Sequence, residues 1–130
     1  MARQATSGQP RTTTVITGEY VINEDDDYVA LAPDWVSSAC LLPGPGSGHP
    51  APNNGDQYTV ADPTNRLGAS GGGGPGGPLT IVGGGYEFLA NGTLTSQVTL
   101  NTLLASTEGA TSCALKFTFC AALQVWIIES

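Results

Sequence analysis

The feature that most constrains this chain is its punctuation: short β-branched and aromatic runs are repeatedly cut by glycine, proline, asparagine or aspartate. In order it carries Asp25-Asp26-Asp27-Tyr28, Leu41-Leu42-Pro43-Gly44, Gly55-Asp56-Gln57-Tyr58-Thr59-Val60-Ala61-Asp62, Leu79-Thr80-Ile81-Val82-Gly83-Gly84-Gly85 and Val125-Trp126-Ile127-Ile128. With only 12% charged residues against 18 glycines and 9 prolines, the charged outer faces of long amphipathic helices are missing. The balance favours strands and loops. The expected fold is all-β: a compact sandwich or barrel of short antiparallel strands with long Gly/Pro loops. At 130 residues one domain is expected, with a core of modest size.

Residues 1–11 are small and polar, with Gly8 and Pro10 blocking a helix, and read as an N-terminal arm outside the core. The single all-β domain is expected over 12–130. Its first half reads as a meander: Thr12 to Ile16, Glu19 to Ile22 and Tyr28 to Leu31, with Asn23 to Asp27 as a turn. Val36 to Leu42 reads as a strand that stops at Pro43, since proline cannot donate to a ladder. Gln57 to Val60 is the next. Long loops are expected at Pro43 to Gly55 and at Arg66 to Pro78, the second dominated by a polyglycine run.

The later half is more regular, with strands expected at Leu79 to Val82, Tyr86 to Leu89, Leu94 to Leu100, Ser112 to Phe119 and Leu123 to Glu129. Asn91-Gly92 is a hairpin signal, because both residues tolerate positive φ. Alternation puts Cys113, Leu115, Phe117 and Phe119 on one face and Ala114, Lys116 and Thr118 on the other, so one face enters a core. The last strand is apolar on both faces, with Leu123, Val125 and Ile127 opposite Trp126 and Ile128. Such a strand needs cover on both sides, and another subunit is expected over Trp126 and Ile128.

The net charge of −7 argues against nucleic-acid binding, which needs clustered cations. Arg3 and Arg11 make the arm locally positive beside an acidic body, which suits docking on an acidic partner surface. No stretch approaches the ~20 apolar residues of a membrane helix, and the first residues lack the apolar core of a secretory signal. Three cysteines, Cys40, Cys113 and Cys120, do not make an even disulfide framework and read as buried small hydrophobes.

Candidate chemistry is sparse. Glu24 to Asp27 is dense in carboxylates, but it lacks the alternating ligands and glycine of a calcium loop and reads as a solvated turn. His49, the one histidine, has no local carboxylate or nucleophile signature and reads as a loop residue. Zinc held by Cys40, Cys113, Cys120 and His49 has the right ligand types without the paired spacing. The glycine runs lack the Lys-Ser/Thr ending of a phosphate loop and instead permit tight turns or close backbone approach. Trp126 reads as a packing residue, and Trp35, beside Pro33-Asp34, as a candidate exposed anchor. No catalytic residue, metal or cofactor is expected.

The series resembles the β-rich module of bacteriophage virion proteins: an acidic turn, a strand ending in Leu-Pro, a Gly-Asp-x-Tyr strand ending in Ala-Asp, a Thr-Ile strand running into glycines, and a last strand with Trp. Members include tail-fibre and tailspike segments, head fibres and capsid decoration proteins. The likeness runs from about Tyr20 to the end and is one of pattern. It implies a structural virion protein and not an enzyme: a capsid decoration (cement) or head-fibre protein, homotrimeric, bound to the major capsid protein on the outer capsid surface. Such a protein would be made in the host cytoplasm and held there until lysis. The alternative is a receptor-binding tip that recognises host glycans through its aromatic residues and loops.

Overall fold

The computed structural model describes residues 13–64, 66, 76, 78–90, 92–99 and 114–129. The strands are β1 (Thr13–Ile16), β2 (Tyr20–Val21), β3 (Tyr28–Leu31), β4 (Ser38–Leu41), β5 (Gln57–Ala61), β6 (Leu79–Val82), β7 (Glu87–Ala90), β8 (Thr93–Thr95), β9 (Gln97–Thr99), β10 (Ala114–Cys120) and β11 (Val125–Glu129). The described residues contain no α-helix; one 3-10 turn spans Pro45–Ser47. The all-β expectation therefore holds.

The expected antiparallel meander does not. Successive strands alternate between two sheets, one of seven strands in the order β1-β3-β5-β10-β11-β7-β8 and one of four in the order β2-β4-β6-β9. Consequently β1, β3 and β5 run parallel, as do β2, β4 and β6, and the chain winds like a short solenoid of paired rungs. Antiparallel pairing appears later, where β10 inserts beside β5 and turns back into β11, and where β9 closes on β6. Both sheets are therefore mixed, and neither closes into a barrel. The breaks after β1 to β4 carry the chain to the facing sheet, whereas the hairpins between β7 and β8 and between β10 and β11 keep it in one.

The hairpin signal at Asn91-Gly92 is correct, since β7 pairs antiparallel with β8 and Ala90 opposes Thr93. What reads as one strand from Leu94 to Leu100 is two. The chain leaves the seven-stranded sheet at Ser96 and enters the four-stranded one as β9. Leu123 likewise belongs to the turn between β10 and β11, which closes with Gln124 at φ 56 and its N–H donating to the Cys120 carbonyl at 2.7 Å.

One core joins the inner faces. The seven-stranded sheet contributes Ile16, Val29, Leu31, Tyr58, Val60, Leu115, Phe117, Phe119, Phe88 and Trp126, and the smaller sheet Cys40, Leu79 and Ile81, with Tyr20 and Val98 packed against them. The alternation read in β10 is realised: Leu115, Phe117 and Phe119 are buried while Lys116 is exposed. Edge-to-face contacts tie Trp126 to Tyr58 at 5.9 Å and to Phe119 at 5.1 Å between ring centroids, geometry that adds to simple area burial.

The glycines at Gly44, Gly46 and Gly83-Gly84 serve close backbone approach within the chain. The loop after β4 and the turn after β6 lie against each other, with the Gly46 N–H donating to the Gly84 carbonyl at 2.7 Å. A Cβ on Gly84 would meet the Leu42 carbonyl at 2.5 Å, and its φ of +69° disfavours any side chain. Gly92 has a similar φ of +77° with open space around it. We therefore expect Gly84→Ala to lower stability by about 3 kcal/mol or more, and Gly92→Ala by only about 1 kcal/mol, the dihedral term alone. Urea midpoints for the two variants check the contrast.

Candidate functional site

The acidic turn is a structural clamp, not a solvated turn. Asp26 and Asp27 are buried, whereas Glu24 and Asp25 are exposed. Thr14 of β1 donates its hydroxyl to Asp26 Oδ1 at 2.6 Å, and Tyr20 of β2 donates to Oδ2 at 2.7 Å. Oδ2 also accepts the backbone N–H of Asn23 at 3.1 Å. Since β1 and β2 belong to different sheets, one carboxylate links both layers. Desolvation first, and then the hydrogen bond to Asp26, push the Tyr20 phenol up to about 12.

The same turn recurs thirty residues later in the sequence. Asn53 donates its N–H to Asp56 Oδ2 at 2.9 Å, and Asp56 returns its own N–H to the Asn53 carbonyl at 3.1 Å, as Asp26 does to Asn23 at 3.1 Å. Asn-x-x-Asp-x-Tyr at Asn23 to Tyr28 and at Asn53 to Tyr58 is thus an internal repeat that marks the entry to two adjacent parallel strands. The ladder, however, pairs Tyr28 with Thr59 rather than with Tyr58, one residue out of step with the repeat. Tyr58 accordingly points into the core while Tyr28 lies on the outer face.

The second copy is less well satisfied. Asp56 is 2% exposed, and its Oδ1, like the Tyr58 hydroxyl, has no hydrogen-bond partner among the described residues. Burial raises the Asp56 carboxyl above its ordinary value, with the Asn53 N–H opposing the shift. Another buried carboxylate, Asp62, accepts the Arg66 N–H at 2.7 Å.

Arg66 in turn reaches back with Nε and Nη2 to the Trp35 carbonyl at 3.0 and 2.7 Å. Trp35 is fully buried, which corrects its reading as an exposed anchor; Gly76 lies against its ring, where any Cβ would crowd it. Trp126 also needs correction. Its face is covered by its own chain, the side chain is fully buried, and Nε1 donates to the Gly83 carbonyl at 2.9 Å, so it is not available to another subunit. Ile128 shares that inner face and packs half-buried against the same core. Arg3 and Arg11 lie outside the described residues.

Cys40 is buried, and desolvation pushes its thiol up to about 12, far from a reactive thiolate. Cys120 is half-buried, and Cys113 lies outside the described residues. His49 sits in the loop after the 3-10 turn, with its N–H donating to the Gly44 carbonyl at 2.9 Å. Among the described residues no three His, Cys, Asp or Glu side chains gather as metal ligands, and no helix is long and apolar enough to cross a membrane.

What the scaffold leaves open is the outer face of the seven-stranded sheet. Register places Tyr28, Thr59, Lys116 and Glu129 side by side across four strands, and Gln57, Thr118, Ile127, Leu89 and Leu94 in a second row. Lys116 and Glu129 form an exposed pair at 3.6 Å, worth little in stability but nearly neutralising the middle of this face. Gln57 Nε2 donates to Thr118 Oγ1 at 3.2 Å. At the two margins Val15 is 63% exposed and Leu94 53% exposed. Nothing in the linear pattern separated this outer face from the inner one on β11, because both are apolar.

No protein-family model matches this sequence, and no curated protein matches it.

The two Asn-x-x-Asp turns should separate on mutation. Asp26→Ala leaves two hydroxyls and one N–H without their acceptor and should cost about 3 kcal/mol or more, whereas Asp56→Asn removes a poorly solvated charge and should cost under about 1 kcal/mol. Chemical denaturation at neutral pH checks both. Because the folded-state Asp56 value is raised, its contribution favours folding at low pH and is lost as pH rises through that raised value; Asp56→Asn should flatten this part of the stability–pH curve. For Tyr20, stability should hold below pH 10 and fall as pH rises toward 12, a window that ultraviolet phenolate absorbance will show moving down in Asp26→Ala.

Proposed function

We propose that this chain is a structural virion protein, a capsid decoration or head-fibre protein that binds the major capsid protein on the outer capsid surface and stabilises the shell. The observation that carries this reading is how the scaffold uses its polar groups. Asp26, Asp56 and Asp62 are engaged as acceptors at turns, Trp35 and Trp126 are packed inside, and the open resource is a broad sheet face with uncharged apolar margins. Such a molecule acts by non-covalent association, through burial of apolar area and backbone pairing. The order of motifs, from the acidic turn to the strand carrying Trp126, supports the virion setting through its resemblance to phage modules. By the same resemblance the assembly is a homotrimer, with Arg3 and Arg11 of the arm meeting an acidic capsid surface.

A second reading, a receptor-binding tip for host glycans, is favoured by one feature: the strip of Tyr28, Thr59, Gln57, Thr118 and Lys116 offers an aromatic ring beside hydroxyl and amide groups. The burial of Trp35 removes the aromatic platform that reading would most need.

Light scattering of the purified chain with and without residues 1–11, followed by co-sedimentation with undecorated cognate capsids, tests the first reading. A stable oligomer that sediments with capsids only when the arm is present is the expected result. Failure of both forms to bind capsids, together with retention on host-surface glycan, would replace the cement reading with the adhesin one.

A further inference from the structure

The strands β1, β3 and β5 run parallel, with Thr13 opposite Tyr28 and Tyr28 opposite Thr59. Their first residues therefore share one rim of the seven-stranded sheet. The two Asn-x-x-Asp turns lead into β3 and β5 at this rim, so Glu24, Asp25, Asp26, Asp27 and Asp56 all collect there. The segment that precedes β1 enters at the same place, and the Thr14 hydroxyl on Asp26 ties the start of β1 to the first turn. Adjacent strands lie about 4.8 Å apart, which puts the start of β5 roughly 10 Å from that of β1.

No lysine or arginine occurs from residue 12 to residue 65. Of the two that are described, Arg66 follows the far end of β5 and is engaged with the Trp35 carbonyl, and Lys116 faces Glu129 on the outer face. The other basic residues of the chain are Arg3 and Arg11. One carboxylate at the rim calls for a donor. Asp26 accepts from Thr14, Tyr20 and Asn23, whereas Asp56, only 2% exposed, keeps Oδ1 without a partner among the described residues. The Tyr58 hydroxyl, two residues on, is in the same position. Burial first, and then the charges of Asp56, Glu24, Asp26 and Asp27, raise the Tyr58 phenol above its ordinary value, so four carboxylates act on one point. A buried carboxylate oxygen without a donor is costly, and a guanidinium supplies five N–H groups in a planar fork that suits it.

We propose that residues 1–11 fold back over this acidic rim of their own body, with Arg11 against the Glu24–Asp27 turn and Arg3 at Asp56. Arg11 lies two residues before Thr13 and is confined to the neighbourhood of β1 and β3. Arg3 lies ten residues before Thr13, and at ~3.3 Å per extended residue a fraction of that length spans the distance to β5. The arm is thus a latch held by charge attraction, and salt weakens it wherever the pairs are exposed. The latch does not rest on the virion reading. Where the arm docks on an acidic partner, that partner has to displace the rim, so the body's own carboxylates set how acidic a surface the arm will leave them for.

The test is limited trypsin digestion of the full chain, because trypsin cuts after Arg3 and Arg11, and mass spectrometry reads each cut separately. A free peptide of residues 1–13 in the same tube gives the unlatched rate and corrects for any effect of salt on the protease. The parent chain should be cut at both arginines roughly five- to tenfold more slowly than the peptide, with the difference shrinking in high salt. Asp56→Asn should restore rapid cutting after Arg3, and Glu24→Gln with Asp25→Asn should restore it after Arg11. Near-ultraviolet circular dichroism from the buried Trp35 and Trp126 should be unchanged in both variants. Glu129→Gln, which removes an exposed carboxylate from the outer face, should leave the arm protected. Protection should not vary from low micromolar to near-millimolar chain, as a contact within one molecule requires. An arm cut as fast as the peptide, protection that survives both rim variants, equal loss of protection in Glu129→Gln, or protection that appears only at high concentration, which would assign the rim to the arm of a second copy, would each overturn the proposal. An unprotected arm on a chain that still sediments with capsids removes the latch and leaves the virion reading standing; a protected arm on a chain that no capsid binds does the reverse.

Discussion

Buried carboxylates at the corners hold this fold together. A chain that passes from one sheet to the facing sheet after nearly every early strand must turn its backbone at the rim of the core, where N–H groups lose water without gaining a ladder partner. An unpaired buried N–H costs about as much as a lost hydrogen bond. Asp26, Asp56 and Asp62 meet this need in the same way, taking the N–H groups of Asn23, Asn53 and Arg66. The buried acidic residues described, these three and Asp27, all flank β3 or β5, the parallel strands at the centre of the winding. Asp26 does most, because Thr14 and Tyr20 bring it a donor from each sheet.

Glycine solves the other half of the corner problem. The turn after β6 must lie against the loop after β4 closely enough for Gly46 to donate to the Gly84 carbonyl, and side chains at Gly44 or Gly84 would occupy that space. Trp126 then seals the joint from the last strand, its indole N–H on Gly83 and its ring against Tyr58 and Phe119. The C-terminal hairpin is thereby locked to turns that form much earlier in the chain. The parallel rungs alone would leave β5 as an open edge, and β10 covers it with an antiparallel ladder of five residue pairs.

The chemistry-bearing residues are thus largely committed to the scaffold. A carboxylate that accepts backbone N–H groups in a turn is poorly placed to move protons for a substrate, and a thiol raised by burial, as in Cys40, is a weak nucleophile. Among the described residues the open surface is largely sheet: a broad face, nearly neutral at its centre through Lys116 and Glu129, ending in two uncharged edge strands. It is on this face that the proposed association rests.

Much of this was legible in the linear chain. The punctuation set the all-β class, alternation in Leu115 to Phe119 named an inner face, and Asn91-Gly92 located a hairpin, because each of these is a local matter of dihedral preference or period-two geometry. The repeat of Asn-x-x-Asp-x-Tyr was also present in the sequence and is the signal that parallel rungs were coming. The tertiary structure alone decided the rest. Whether a corner stays in one sheet or crosses to the other depends on which distant strand offers open hydrogen bonds, so parallel pairing replaced the expected meander. Trp35 and Trp126 have the same polarity wherever they sit; only packing against Gly76 and Gly83 placed both inside, and only strand order revealed that β1 and β8 stand at opposite edges of one sheet.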